Sequence, residues 1–315
     1  MTRLRERAVV LGFLVAWRVL RLLPARVAYW LFDVVADRTT AGGGESVRLL
    51  RANYARVRPE LTDTELDDLT AKGVRAALRY YVEAFRLPSV SGEDVDRLVR
   101  WEGAMPELRA ELESGRPVVC FLGHTGNWDL AGVWCARHLG PVVTVAERLE
   151  PEAMFRAFLD YREGLGMRIL PAEKGTFARL RDQLATGEPV VMPLLSDRDL
   201  SATGVEVDLC GHPARVAAGP AALAVESGHR LHPVTLRHER VGREWGMVIT
   251  VHDAVPTPPP GTPGAVQQVT QACADAFGDA LTAHTEDWHM MQRVFVDDLD
   301  PARDRTITTA DRSAA

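Results

Sequence analysis

Val118 to Leu130 reads Val-Val-Cys-Phe-Leu-Gly-His-Thr-Gly-Asn-Trp-Asp-Leu, and its texture changes twice. The first five residues form an uninterrupted apolar run between Pro117 and Gly123. A strand takes that composition when both of its faces are buried, as in a parallel sheet covered by helices. Gly-His-Thr-Gly-Asn is too rich in turn formers to continue the strand. Apolar residues then recur at Leu130, Val133, Trp134, Ala136 and Leu139, which is helical spacing. His124 therefore falls where a buried strand hands over to a helix, the edge at which open α/β sheets bind ligands.

Asp129 follows His124 by five residues, in the first turn of that helix. A carboxylate there can reach back to one imidazole nitrogen, fixing the tautomer and leaving the other nitrogen as a base. The plainer alternative is a histidine at a helix start, with Asp129 complementing the helix dipole. Spacing alone does not choose between them.

The strand-to-helix alternation recurs along the chain. Strand-like runs at 117–122, 141–146, 167–171, 189–195 and 231–236 alternate with helical stretches at 126–139, 151–164, 174–187 and 214–228. This predicts an α/β fold with a mostly parallel central sheet flanked by helices. Gly246 to Val251 reads as one further strand, and Ala265 to about His284 as a last helix with Val266, Val269, Cys273, Phe277 and Leu281 at core spacing. Upstream, residues 4–36 read as two helices joined around Pro24, and Gly42-Gly43-Gly44 is a break. Helices follow at 45–57 and 62–86, the second opening on a capping box of Thr62 and Glu65. Pro256 to Gly264 reads as a loop. With no internal repeat and no second domain evident, the expectation is one domain over 1–300, carrying a helical hairpin at 1–36 and a polar, disordered tail at 301–315.

A chain of 315 residues with 46% hydrophobic and 25% charged residues suffices for a large core. A net charge of −6 argues against nucleic acid as a partner. Cys120, Cys135, Cys210 and Cys273 are widely spaced, which fits reduced thiols in an intracellular protein and argues against a zinc site. No His/Asp/Glu group has metal-ligand spacing, and there is no G-x-S-x-G elbow, phosphate loop or dinucleotide fingerprint. Ala8 to Trp17 is apolar for ten residues before Arg18, too short to span a bilayer. The first thirty residues hold Arg3, Arg5, Arg7, Arg18, Arg21 and Arg26 against Glu6 alone, beside Phe13, Trp17, Tyr29 and Trp30. That mixture suits an anionic membrane surface, the alternative being a hairpin packed on its own core with solvated arginines.

Phe-Leu-Gly-His-Thr-Gly-Asn-Trp-Asp resembles the block that opens the active site of the late lipid A acyltransferases, within the glycerolipid acyltransferase superfamily. The likeness runs from near the N-terminus to about Phe295, taking in Arg51-Ala-Asn-Tyr54 and Tyr80-Tyr81-Val-Glu-Ala-Phe85-Arg86. Within the family it points to the subgroup that acts on phosphatidylinositol mannosides. The resemblance implies His124 as base, Asp129 as its companion, and Glu147, in Ala146-Glu147-Arg148, as part of the active-site surroundings. Arg162, in Tyr161-Arg162-Glu-Gly-Leu-Gly-Met, matches a block with a functional arginine; the plain alternative is a cation at a helix C-terminus. Ser196-Asp197-Arg198-Asp199 matches a block whose acidic residue assists the base, and leaves open whether Asp197 or Asp199 fills that place. Arg198, Arg215 and Gly219 are candidates for binding substrate, Arg215 as a cation at a helix start beside exposed amides. Leu231-His-Pro-Val234 resembles a block whose proline shapes the pocket. His284-Thr-Glu-Asp-Trp288-His-Met-Met-Gln292-Arg293 resembles the terminal block, with Thr285 where the family often has proline, and no catalytic role is assigned there.

The expectation is an acyl-CoA-dependent O-acyltransferase without cofactor or metal. The resemblance implies acyl-CoA as donor and a membrane glycolipid as acceptor, at a mannosyl hydroxyl of a phosphatidylinositol mannoside, and amides of the glycine-rich turn are expected to hold the oxyanion. The enzyme is expected peripherally on the cytoplasmic side of the inner membrane. The alternatives are another glycolipid or lysophospholipid acceptor, or a non-catalytic lipid-binding protein of the same fold.

Overall fold

The structure is a computed structural model that describes residues 12, 15, 17–148, 150–199 and 204–299. The expectations placed on residues 1–11 and on the tail 301–315 lie outside these.

From Val99 onward the chain lays down a seven-stranded sheet. Its spatial order is β1 (Val99–Gly103), β9 (Glu244–Val251), β8 (Leu231–Val241), β2 (Val118–Leu122), β5 (Val191–Leu195), β3 (Val142–Ala146) and β4 (Met167–Pro171). Strands β8, β2, β5, β3 and β4 run parallel; β9 pairs antiparallel with β8, and β1 lies parallel to β9. The expected α/β fold with a mostly parallel sheet is what the chain forms.

The apolar run of β2 places it near the middle, and all five of its residues are buried. Side chains alternate across a strand, so Val119 and Phe121 enter one core while Val118, Cys120 and Leu122 enter the other. The first core is closed by α2 (Glu45–Val57), α3 (Asp63–Arg86), α8 (Thr176–Ala185), α9 (Gly219–Ser227) and α10 (Ala265–Ala283). The second is closed by α4 (Gly92–Leu98), α5 (Met105–Glu113), α6 (Trp128–His138) and α7 (Glu152–Gly164). The capping box that opens α3 is formed, with Thr62 and Glu65 each bonding the other's backbone.

Upstream, α1 (Ala25–Gly42) follows Pro24, and residues 17–22 are helical. Trp17 is buried against Phe85, Phe158 and Tyr161 and donates its indole N–H to the Phe85 carbonyl at 3.1 Å. The hairpin thus packs partly on the domain. Its other face leaves Leu22 at 84% and Trp30 at 64% exposure, with Val19, Val27 and Val35 also exposed. Among the described residues, no helix is long and apolar enough to cross a membrane.

One expectation is corrected. The stretch 214–228 is not one helix: β6 (Val205–Leu209) and β7 (His212–Val216) form a separate antiparallel hairpin, and the helix starts at Gly219. Val205, Val207 and Leu209 alternate with charged residues as a half-buried strand requires, but Gly211 and Pro213 break up the apolar pattern on the return strand.

Candidate active site

Because β2 and β5 are neighbours in register, with Leu122 opposite Leu195, their following loops emerge side by side. The Ser196 N–H donates to the Leu122 carbonyl at 2.7 Å and fixes the two exits together. His124 therefore meets Asp197, 73 residues later. Its Nδ1 lies 2.6 Å from Asp197 Oδ1, and its backbone N–H donates to Oδ2 at 2.9 Å. Asp197 is completely buried, while the His124 side chain is 21% exposed. Burial would push the Asp197 carboxyl up, but His124 and a hydrogen bond from Trp288 hold it below the usual carboxylate range. Gly123 is needed here: a Cβ at that position would meet the Phe277 ring and crowd the Asp197 carboxylate.

Of the expected acidic partners it is Asp197 that contacts His124, and Asp129 lies elsewhere. Asp129 does not touch His124; it is buried on the far side of the helix start, where it receives Arg162 Nε at 2.7 Å and the Tyr80 hydroxyl at 2.8 Å. On the first turn of α6 its side chain turns toward α3 and α7, away from the loop that carries the imidazole. The glycine-rich turn also does not offer its amides to a substrate. The N–H groups of His124, Thr125, Gly126 and Asn127 are committed to Asp197, the Gly123 carbonyl, the Asp287 carbonyl and Met247 sulfur respectively.

His124 opens into a cleft of about 260 Å³ lined also by Tyr80, Glu147, Phe155, Arg162 and Arg198. Glu147 and Arg198, at the ends of β3 and β5, form an ion pair at 2.8 Å, and Arg198 also bonds Gln292. A narrow, almost wholly apolar space of about 70 Å³ runs between α5, α6 and the sheet, past Met105, Leu108, Cys120 and Ile249. Trp128, Val145, Arg162 and Leu195 line both the cleft and this space, so the two meet beside His124. Asp199, Arg215 and Gly219 do not line the cleft. Arg215 lies within β7, its amide bonded to the Val294 carbonyl, because the hairpin takes the place of the expected helix start.

Sequence reasoning missed the residues that brace the site. Asn127 caps α6 through the Leu130 amide and donates to Glu83 at 2.8 Å. His238 sits between Asp287, at 2.6 Å from Nδ1, and Glu83, at 3.3 Å from Nε2. His238, Asp287 and His289 bring metal-ligand atom types within 4.8 Å of one another, a group no sequence spacing shows. Both nitrogens of His238 are already engaged by carboxylates, so the geometry is that of a hydrogen-bonded imidazolium clamp. Burial would depress His238, but the Glu83 and Asp287 carboxylates overcome it and hold it at about 9. Burial and the His238 charge push His289 down to about 3, so it is neutral.

The clamp has a pH signature. A histidine raised from about 6.5 when unfolded contributes stability that is fully present below that value. That contribution is lost as pH climbs through about 9. Thermal melts are expected to show Tm falling between pH 7 and 10, and His238→Asn to flatten that slope while lowering Tm at pH 7. Equal slopes in both proteins would assign the alkaline loss to other groups.

The chain is similar to known proteins over nearly its whole length. A profile for bacterial lipid A biosynthesis acyltransferases matches residues 2–296. The chain is 38% identical over 300 residues to a protein of Mycolicibacterium smegmatis named phosphatidylinositol mannoside acyltransferase, covering 93% of each chain. A protein of the same name from Mycobacterium tuberculosis is 39% identical over 296 residues, covering 93% of this chain and 90% of its own. A match over nearly the whole length, with relatives at 38% and 39% identity along 93% of the chain, places this chain in the bacterial lipid A biosynthesis acyltransferase family.

Proposed function

We propose that this acyltransferase moves a fatty acyl chain from acyl-CoA to a hydroxyl on mannose in a phosphatidylinositol mannoside, with His124 as general base. The observation that carries the reading is the junction beside His124, where a polar cleft meets an apolar space under α6. The apolar lining matches the chemistry of an acyl chain and the polar cleft that of a sugar hydroxyl. The acceptor and the donor are inferred from the relatives' name and from the family likeness.

Asp197 accepts a hydrogen bond from the His124 Nδ1–H, which leaves Nε2 to take the proton of the acceptor hydroxyl as its oxygen attacks the thioester carbonyl carbon. The C–O bond forms, the tetrahedral intermediate collapses, the C–S bond breaks, and the imidazolium returns the proton to the departing CoA sulfur. The products are an ester and free CoA thiol, and no cofactor is required. With the turn amides committed, Arg198 is the cleft's candidate counter-charge for the oxyanion. A covalent acyl-enzyme is disfavoured: the Ser196 hydroxyl bonds the Leu194 carbonyl, and burial pushes the Cys120 thiol far up. Glu147 holds Arg198 across the cleft, and Arg162 is anchored by Asp129.

The acceptor lipid stays in a bilayer, so the enzyme must approach one. Exposed Leu22, Trp30, Val19 and Val27 supply an apolar face beside Arg18 and Arg26. We place the protein peripherally on the cytoplasmic side of the inner membrane, held by this hairpin on anionic lipid.

The test is purified protein with radiolabelled palmitoyl-CoA and anionic vesicles carrying either a phosphatidylinositol mannoside, a lysophospholipid or another glycolipid. Label is expected in an ester on the mannoside, on protein that floats with the vesicles. Label on a different lipid reassigns the acceptor. Binding of lipid with no transfer to any of them leaves the non-catalytic reading.

A further inference from the structure

We propose that Trp288 is the positioning residue of the His124–Asp197 pair, setting the plane of the Asp197 carboxylate through its indole N–H and so setting how strongly that carboxylate holds the imidazole proton. This rests on the reading of His124 as the base.

Asp197 is fully buried, and a buried carboxylate is tolerable only when its oxygens are supplied with donors. Oδ1 has the His124 ring nitrogen at 2.6 Å. Oδ2 has two donors, the His124 backbone N–H at 2.9 Å and the Trp288 indole N–H at 2.8 Å. The first two donors belong to His124 itself: the backbone N–H is fixed with the loop, and only the ring nitrogen turns with the imidazole. Trp288 is the outside reference: it lies 91 residues on from Asp197, in a segment that belongs to neither strand exit. A carboxylate without the indole rests at Oδ2 on the single backbone N–H of His124. Pinned at Oδ2 by the indole, it presents Oδ1 in one direction.

The indole is itself fixed. Trp288 is completely buried, with its ring edge-on to Phe277 and Phe295 at centroid distances of 6.3 and 6.5 Å. Its carbonyl accepts the Tyr54 hydroxyl at 2.8 Å. Its backbone bridges Thr125, and the flanking residues grip the same turn: His289 N–H donates to the His124 carbonyl at 2.8 Å, and Gly126 N–H to the Asp287 carbonyl at 3.0 Å. One residue therefore holds the loop after β2 by its backbone and the loop after β5 by its side chain. The likeness of the terminal block gave it no task, because Thr285 stands where the family often has proline.

The kinetic consequence has a sign. Removing the indole N–H leaves Oδ2 with one donor and more charge on the carboxylate as a whole. The imidazole proton is then held more tightly, so the base is freed only at higher pH. The acid limb of kcat/KM should move up, and kcat should fall because the imidazole is less well aimed.

The experiment replaces Trp288 site-specifically with 3-benzothienylalanine, which keeps the ring shape and puts sulfur where the N–H was; Trp288→Phe is the simpler companion. Expected for the isostere are near wild-type Tm and KM for acyl-CoA, kcat lower by about 10- to 100-fold, as for loss of an outer partner of a site ligand, and an acid limb displaced to higher pH. Tyr54→Phe loosens the same segment without touching the indole, and should lower Tm while leaving the pH profile in place. An isostere with wild-type kcat and pH profile overturns the proposal, as does a Tyr54→Phe enzyme that shifts the profile equally. His124→Ala separates the two levels. If that variant is inactive and the isostere is normal, only the positioning role fails; if it still turns over, the base fails and this proposal with it.

Discussion

His124→Ala is expected to lose acyl transfer by about 10²–10⁴-fold, the usual share of a positioned general base, while the protein keeps its fold. The imidazole sits on a loop with its side chain 21% exposed, so little apolar packing goes with it. What the variant does leave behind is a buried Asp197 short of one donor. The backbone N–H of residue 124 and the Trp288 indole remain on Oδ2, so the cost to stability is about 1–3 kcal/mol, that of one lost partner of a buried polar group. Turnover of labelled acyl-CoA under saturating acceptor, with a thermal melt alongside, separates the two effects. A variant that melts slightly early yet retains near wild-type turnover would exclude the mechanism. Asp197→Asn provides the companion measurement: it keeps the shape but withdraws the charge that stabilises the imidazolium, and should lose activity of similar order.

Reading the chain alone reached the fold because the relevant signals are local. The run Val118 to Leu122 has the composition of a doubly buried strand and is one, and the strand-turn-helix alternation from there to β5 reproduces in space. Thr62 and Glu65 announced a helix start through chemistry confined to four residues. The site was legible only as far as strand ends could be lined up. That reasoning put His124, Glu147 and Arg198 on one edge, and they line one cleft. It could not say which carboxylate reaches His124. Asp129 is near in sequence and on the wrong side of α6; Asp197 is distant in sequence and adjacent through the register of β2 with β5. Strand order is a tertiary fact, and no spacing encodes it. The same limit hid the His238 clamp, assembled from α3, β8 and the segment after α10. The turn amides illustrate a further gap. Glycine-rich loops advertise exposed N–H groups, but whether those groups are free depends on what packs over them, here the carbonyl of Asp287 and the sulfur of Met247.

Asp129→Ala is the variant on which the local reading and the structure disagree most. If Asp129 oriented the imidazole, its loss would leave a well-folded protein with a misdirected base. The structure instead makes it the anion of a buried pair: its side chain is 2% exposed, Arg162 is 18% exposed, and Tyr80 donates to the same carboxylate. Removing the anion leaves a largely buried guanidinium and the buried Tyr80 hydroxyl without their partner. The expected cost is about 3–5 kcal/mol, as for other buried pairs broken from one side, and Tm should fall by on the order of 10 °C. A second substitution tests the cause. Asp129→Leu combined with Arg162→Met removes both charges and refills the volume, and should recover much of the lost stability, because apolar replacement of a whole buried pair is often close to neutral. Arg162 also lies where the cleft meets the apolar space, so the stable double variant should still bind acyl-CoA poorly. Were Asp129→Ala to melt like wild type and yet lose turnover with an altered pH profile, the carboxylate would be acting on His124 after all. The Arg162 pair would then be a resting arrangement that substrate displaces.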